Sequence, residues 1–124
     1  MFTALLLIFI QSGTTTTEPI SPAERVKVME RTWRTCTIES AIIYSETSND
    51  SASDIATASI EKCRDKELDW SEALYDFNKS LKLSVTQSIE DRDRALEIRK
   101  KATHQSLVYT VVEARSHLPR STKR

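Results

Sequence analysis

Glycine and proline are almost absent from this chain of 124 residues, and their scarcity restricts the fold. The only glycine is Gly13, and the three prolines are Pro19, Pro22 and Pro119. No strong helix breaker therefore lies between residues 23 and 118. That stretch shows no alternating strand pattern and is rich in the helix-favouring residues Glu, Lys, Arg, Ala and Leu. The sequence predicts an all-α fold, with a single helical domain over residues 21–118.

Motifs for catalysis and ligand binding are also lacking. Histidine, the usual general base, occurs only at His104 and His117, thirteen residues apart and therefore not on one helical turn. Metal sites need clustered ligands at paired spacings, and phosphate cradles need glycine-rich loops; the sequence has neither pattern. We therefore expect no enzymatic activity, no cofactor and no metal site, and we interpret both histidines as surface residues.

Long apolar runs are absent apart from one at the start of the chain. Residues 2–10 are apolar except for Thr3, about half of the ~20 residues that a membrane-spanning helix needs. Small or polar residues follow, as is typical of a signal peptide cleaved near Ser12 or Gly13, although no Lys or Arg precedes the run. We predict a signal peptide over residues 1–13 and a disordered spacer over 14–20. A membrane anchor formed by residues 2–10 and a cytosolic apolar start are the alternatives.

The chain has only two cysteines, and their placement is symmetric. Cys36 and Cys63 lie equally far from the centre of the polar turn at residues 48–51. If the flanking segments are helices, each cysteine lies about 20 Å up its arm, so an antiparallel hairpin brings the thiols together. Two cysteines in an exported chain usually pair, because the compartment is oxidising. We predict a disulfide between them; two buried free thiols, as in a cytosolic protein, are the alternative.

Small residues on the two arms support this pairing. A hairpin centred on the turn places Ser40 opposite Ser59 and Ile43 opposite Ala56. Further facing pairs are Tyr44 with Ile55 and Met29 with Trp70. Small side chains beside the cysteines permit the close approach of the two backbones that a disulfide requires.

Two helix starts frame the hairpin. Ser21, Pro22 and Glu24 form a capping box with proline at the first helical position. The apolar face of this first helix is predicted to contain Val26, Met29, Trp33, Cys36, Ile43 and Tyr44, and the helix to end near Thr47. The second arm starts with Ser51 or Ser53 as its N-cap.

The region after Cys63 is too long for one helix packed on the hairpin, because residues 64–117 would extend about 80 Å. We predict a break or kink within residues 66–72, with 78–80 as the other candidate bend, followed by a long third helix that returns along the hairpin. The apolar positions of this region are Trp70, Leu74, Phe77, Leu81, Val85, Ile89, Leu96, Leu107, Val108, Val111 and Val112. Trp33 and Trp70 are interpreted as core residues, and a peptide-binding groove is the alternative.

Charge is unevenly distributed along a chain whose formal net charge is zero. Residues 96–124 have a net charge of +5, and residues 119–124 are predicted to be a disordered basic tail. The charge-rich segment 90–101 is interpreted as a solvated helix, or alternatively as a projecting stalk that forms a coiled coil with a second copy. The candidate partner-binding residues are Trp70, Arg99, Lys100, Lys101, Arg115 and Arg120.

The segment WRTC at residues 33–36, followed by IATASIEKC at 55–63, resembles small exported bacterial proteins that have a signal peptide and a cysteine-paired helical hairpin. The resemblance covers about residues 25–75 and implies an envelope location without any activity. We expect an exported (periplasmic or secreted) protein that acts through protein–protein interaction with a partner or with itself. The alternatives are peripheral binding of an anionic membrane or envelope polymer through the basic C-terminal region, and enzyme inhibition. Neither a nucleic acid nor a small-molecule substrate is expected.

Overall fold

The computed structural model describes residues 18–118, which form four α-helices and no strand within that range. The helices are α1 (Pro22–Thr47), α2 (Ala52–Lys62), α3 (Arg64–Ser80) and α4 (Val85–Ser116). Helix α1 and the consecutive helices α2 and α3 form an antiparallel hairpin, and α4 returns along it in contact with all three. The predicted all-α fold, a disulfide-stapled hairpin with a long C-terminal helix, is confirmed. The predicted signal peptide 1–13, spacer residues 14–17 and tail 119–124 lie outside the described residues.

Serine side chains cap the starts of three helices. The Ser21 Oγ accepts a hydrogen bond from the Glu24 amide (3.2 Å), and the Ser51 Oγ accepts one from the Asp54 amide (3.1 Å). Both caps satisfy amides that have no partner in the first helical turn, and Ser51 rather than Ser53 is the second cap. Helix α4 starts in the same way, because the Ser84 Oγ accepts from the Gln87 amide (3.1 Å).

The helix breaks after the hairpin turn differ from the prediction. Residues 66–72 lie inside α3, so the break predicted there is wrong. The chain instead leaves helical geometry for one residue at Cys63, between α2 and α3, and then turns after Ser80, next to the second candidate bend. Within that turn Lys82 has a φ of 61°, in the left-handed region that glycine occupies at the lowest cost. A lysine at this position leaves the turn without the usual sequence marker.

Two groups of buried side chains form the core. Near the 48–51 turn, Ala41, Ile55, Ala56, Leu107 and Val111 pack together. Further along the hairpin, Trp33, Cys63 and Trp70 form the centre of a second cluster, which also contacts Val26, Met29, Cys36, Ile60, Leu74 and Leu96. The clusters join α1, α2 and α4 at one level and α1, α3 and α4 at the other.

The buried face of α1 departs from the predicted apolar face. It continues from Trp33 through Thr37, Ala41 and Ser45, while Ile43 is exposed. The hydroxyls of Thr37 and Ser45 donate to the carbonyls of Arg34 and Ile42 in the same helix, so their burial leaves no polar group unsatisfied. Small side chains at these positions let the neighbouring helices approach α1 closely.

Helix α4 lies along the hairpin over its length. Near its start the Asn78 Nδ2 donates to the Ser88 carbonyl (3.0 Å), which joins the end of α3 to α4. Leu96, within the charge-rich segment 90–101, packs against the tryptophan cluster, so this segment does not project as a stalk. None of the helices α1–α4 has an apolar stretch long enough to cross a membrane.

Candidate interaction surface

The disulfide between Cys36 and Cys63 is present and joins α1 to the junction of α2 and α3. The two Cα atoms are 6.0 Å apart, within the range of ordinary disulfides. Cys63 is fully buried, and its Sγ lies 3.6 Å from the Ser40 Oγ. The small Ser40 side chain therefore lies beside the staple, as the hairpin alignment predicts. A buried disulfide without a second thiol beside it is structural, and it indicates that the chain matures in an oxidising compartment.

His104 connects α4 to α2 through two contacts of its Nε2 atom. This atom lies 3.2 Å from the Thr57 Oγ1 and 3.2 Å from the Ser53 carbonyl oxygen. Because a carbonyl oxygen only accepts hydrogen bonds, Nε2 is the protonated donor. The Thr57 hydroxyl itself donates to the Ser53 carbonyl (3.1 Å). Nε2 therefore does not accept the hydroxyl proton of Thr57. The contact joins α4 to α2 and does not have the arrangement of a general base beside a nucleophile.

Most of the candidate basic residues have partners inside the bundle. The Lys100 Nζ lies 2.6 Å from the Glu67 Oε1, and the Arg99 Nε lies 3.3 Å from the Glu30 Oε1. Arg115 donates from Nη2 to the Ser48 carbonyl (2.8 Å) and from Nε to the Ser45 carbonyl (3.4 Å). These contacts hold α4 against the other helices.

The remaining candidates differ in how accessible they are. Lys101 is exposed and has no ion pair among residues 18–118. Trp70 is buried and stacks on Trp33; it is the core residue that its apolar stripe predicts, and its ring is not on a surface that a partner can contact. Arg120 lies outside the described residues.

An exposed apolar stripe on α4 was not expected from the sequence. Ile98, Tyr109 and Val112 are 61%, 79% and 56% exposed. With Ala102 and Gln105 between them, they recur at intervals of three and four residues and so share one face of the helix. We call this set of five residues the outer stripe.

The outer stripe lies on the side of α4 opposite to its buried residues Leu107 and Val111. The sequence analysis included Val111 and Val112 together among the apolar positions after Cys63, and the structure places them on different faces of α4. The spacing of the five outer residues, considered apart from the buried positions, would have indicated a second face.

The geometry holds no metal site in the part of the chain that is described, where no three side chains of His, Cys, Asp or Glu converge. The chain matches no protein-family model, no curated protein and no solved structure.

Proposed function

We propose that this is a small, exported, non-enzymatic protein that acts by binding a partner protein through the outer stripe of α4. The supporting observation is the exposure of Ile98, Tyr109 and Val112 on one face of a helix whose opposite face is already buried. The solvent face of a helix in a globular protein is usually polar. A second apolar face along the same helix is typical of a surface that another chain covers.

The chemistry of the stripe suits a protein partner. From Ile98 to Val112 it extends about 21 Å, the length of a short helix-in-groove or helix–helix contact. Tyr109 presents a large ring with few rotatable bonds and a polar hydroxyl, which is why tyrosine is enriched in protein interfaces. The alternating isoleucine, alanine, glutamine, tyrosine and valine positions match the spacing at which one helix packs on another.

The proposed location is the periplasm or the secreted space. The buried disulfide supports it, since such bonds persist in oxidising compartments. Anchoring by residues 2–10 is the alternative within the same proposal. In either case the helical domain meets its partner outside the cytosol.

Site-specific photocrosslinking tests this function. A photoreactive amino acid replaces Tyr109 in cells that produce the full chain, and a control variant has it at Lys79, an exposed position on α3. We expect a discrete adduct only from position 109, and we expect Ile98→Asp/Val112→Asp in the same chain to abolish it. Because these residues are exposed, circular dichroism should show unchanged folding. Equal adducts at both positions, or adducts that persist in the double variant, would contradict the proposal.

Binding of an anionic membrane or polymer through the basic C-terminal region receives less support. Arg99, Lys100 and Arg115 are engaged with groups of the same chain, and a cation that already has a partner contributes less to binding a second anion. Sedimentation with vesicles containing phosphatidylglycerol separates the two functions. Salt-sensitive binding that Lys101→Glu weakens, together with no adduct at position 109, would favour the anionic surface.

A further inference from the structure

The outward surfaces of α1 and α3 differ in the sign of their charge. On α1, Lys27, Arg31, Arg34 and Ile38 line one concave surface together with Glu30 and Thr35; we call the first four the basic strip. On α3, four residues recur at intervals of one, three and four positions and are all exposed: Asp65, Leu68, Asp69 and Glu72. We call these four the acidic strip. Neither strip includes residues of the outer stripe of α4.

The basic strip has two guanidinium groups without partners. Within residues 18–118, neither Arg31 nor Arg34 has a side-chain hydrogen bond or an ion pair, while Lys27 lies 3.5 Å from Glu24. The one carboxylate that lines this surface, Glu30, is paired with Arg99 (3.3 Å). Free guanidinium groups recognise carboxylates in bidentate geometry, so this surface is suited to an acidic ligand.

The acidic strip is the matching surface. Asp69 has no ion pair among the described residues, and the contacts of Asp65 with Lys66 (3.6 Å) and of Glu72 with Arg25 (3.8 Å) are long and exposed. Exposed pairs of this kind contribute little and exchange readily. Leu68, 57% exposed, lies among the three carboxylates, as Ile38, 39% exposed, lies beside the cations of α1.

The two strips differ in length, and they lie apart on one molecule. Residues 27–38 extend about 16 Å along α1 and residues 65–72 about 10 Å along α3. The basic strip borders α4, because Arg34 and Ile38 also line the groove between α1 and α4. The acidic strip borders Arg25 near the start of α1, which contacts Glu72. One copy therefore cannot pair its own strips, whereas two copies can.

We propose that the basic strip of one copy binds the acidic strip of a second copy, so that the protein self-associates head to tail. The contact joins two different surfaces, so a dimer still has one free basic strip on one copy and one free acidic strip on the other. Oligomers should therefore grow with concentration instead of stopping at a dimer. The contact is largely between exposed charges, so high salt should dissociate it. The screening length falls from about 8 Å at 0.15 M to about 3 Å at 1 M ionic strength.

Sedimentation velocity on charge-reversed variants of the disulfide-bonded protein tests this. Arg31→Glu/Arg34→Glu reverses the basic strip, and Asp65→Lys/Asp69→Lys reverses the acidic strip. We expect the unaltered protein to at least double its average mass with rising concentration at low salt and to become a monomer in 1 M NaCl. Each double variant alone should be a monomer under both conditions.

The decisive variant combines all four substitutions. It has the net charge of the unaltered protein and exchanges the signs of the two strips, so it should regain concentration-dependent association. Lys82→Glu/Arg94→Glu makes the same change in net charge as Arg31→Glu/Arg34→Glu at exposed positions elsewhere and should associate as the unaltered protein does. A monomer at every concentration would overturn the proposal, and so would association that survives either double variant. If the monomer instead binds poly-glutamate or anionic vesicles through Arg31 and Arg34, the basic strip serves a different occupant and the proposal is wrong.

Discussion

The indole rings of Trp33 and Trp70 stack with their centroids 4.9 Å apart and their planes inclined by 26°. The stack joins α1 to α3 and belongs to the same buried cluster as Cys63. The tryptophan stack and the disulfide therefore hold the hairpin at one level. Stability should be concentrated there, because two of the five buried residues of the other cluster are alanines and none of the five is aromatic.

Truncation of the stack should be the most damaging single change in the core. Trp33→Ala removes a fully buried ring and leaves a cavity beside Trp70, for which we expect a loss of about 3–5 kcal/mol in the free energy of unfolding. Urea denaturation with the disulfide intact measures it. Tyr109→Ala is the control and should change stability by less than about 0.5 kcal/mol, because its ring is exposed. Equal losses in the two variants would contradict the core assignment.

The disulfide should also contribute a large part of the free energy of unfolding. It closes a loop between residues separated by 27 positions, for which the chain-entropy model gives about 3.5 kcal/mol. Cys36→Ala/Cys63→Ala should therefore unfold at a lower urea concentration with an unchanged fold by circular dichroism. Adding a reductant should destabilise the unaltered protein towards the same midpoint and leave the double variant unaffected. A midpoint that does not move on reduction would show that the staple adds nothing.

Arg115 should stabilise the end of α1 although it belongs to α4. Helix α1 has no basic residue in its own last turn, and Arg115 donates to the carbonyls of Ser45 and Ser48 there. Cations and donors at this end satisfy free carbonyls and the helix dipole. We expect Arg115→Ala to cost about 1–2 kcal/mol, a fall in Tm of several degrees. Lys101→Ala, exposed and unpaired among the described residues, should leave Tm unchanged; a fall of the same size there would refute the capping role.

Removing only the cation of the Glu67–Lys100 pair should lower stability markedly, whereas replacing both residues by apolar ones should change stability little. The Glu67 carboxylate is buried and lies 2.6 Å from the Lys100 Nζ, which is partly exposed. Lys100→Met leaves that carboxylate without its cation and should cost about 2 kcal/mol. Glu67→Met/Lys100→Met removes both charges and should recover most of the loss. A double-mutant cycle checks this, and strictly additive losses would indicate that the two groups do not interact.

Local sequence features predicted the hairpin well. The caps at Ser21 and Ser51 involve residues three apart, so their partners can be identified from the sequence alone. The cysteine pairing followed from equal arm lengths about the 48–51 turn. The break was predicted at residues 66–72, but the interruption is at Cys63. Because cysteine is not a strong helix breaker, no residue type marks this position in the sequence. The turn that contains Lys82 directly follows the candidate bend at residues 78–80, and Ser84 with Gln87 three residues later is a capping pattern that would have placed the start of α4.

The candidate surface was less predictable from the sequence. Arg99, Lys100 and Arg115 were expected to be available to a partner because they are basic and lie near one another in the chain. Their actual partners, Glu30, Glu67 and the carbonyls of Ser45 and Ser48, are distant in sequence. Side-chain charge identifies what a residue can bind, whereas only packing determines which opposite group is already beside it.

By itself the sequence determined the all-α class, the two arms and the disulfide, because a chain with one glycine and regular helical spacing allows little else. The tertiary structure decided which face of each helix is covered. Helix α4 has apolar residues on two faces. Its contact with the hairpin buries Leu107 and Val111 on one face and leaves Ile98 and Tyr109 on the other face exposed to solvent. That choice depends on contacts among all the helices together, so only the folded molecule shows which of the helix faces remain exposed.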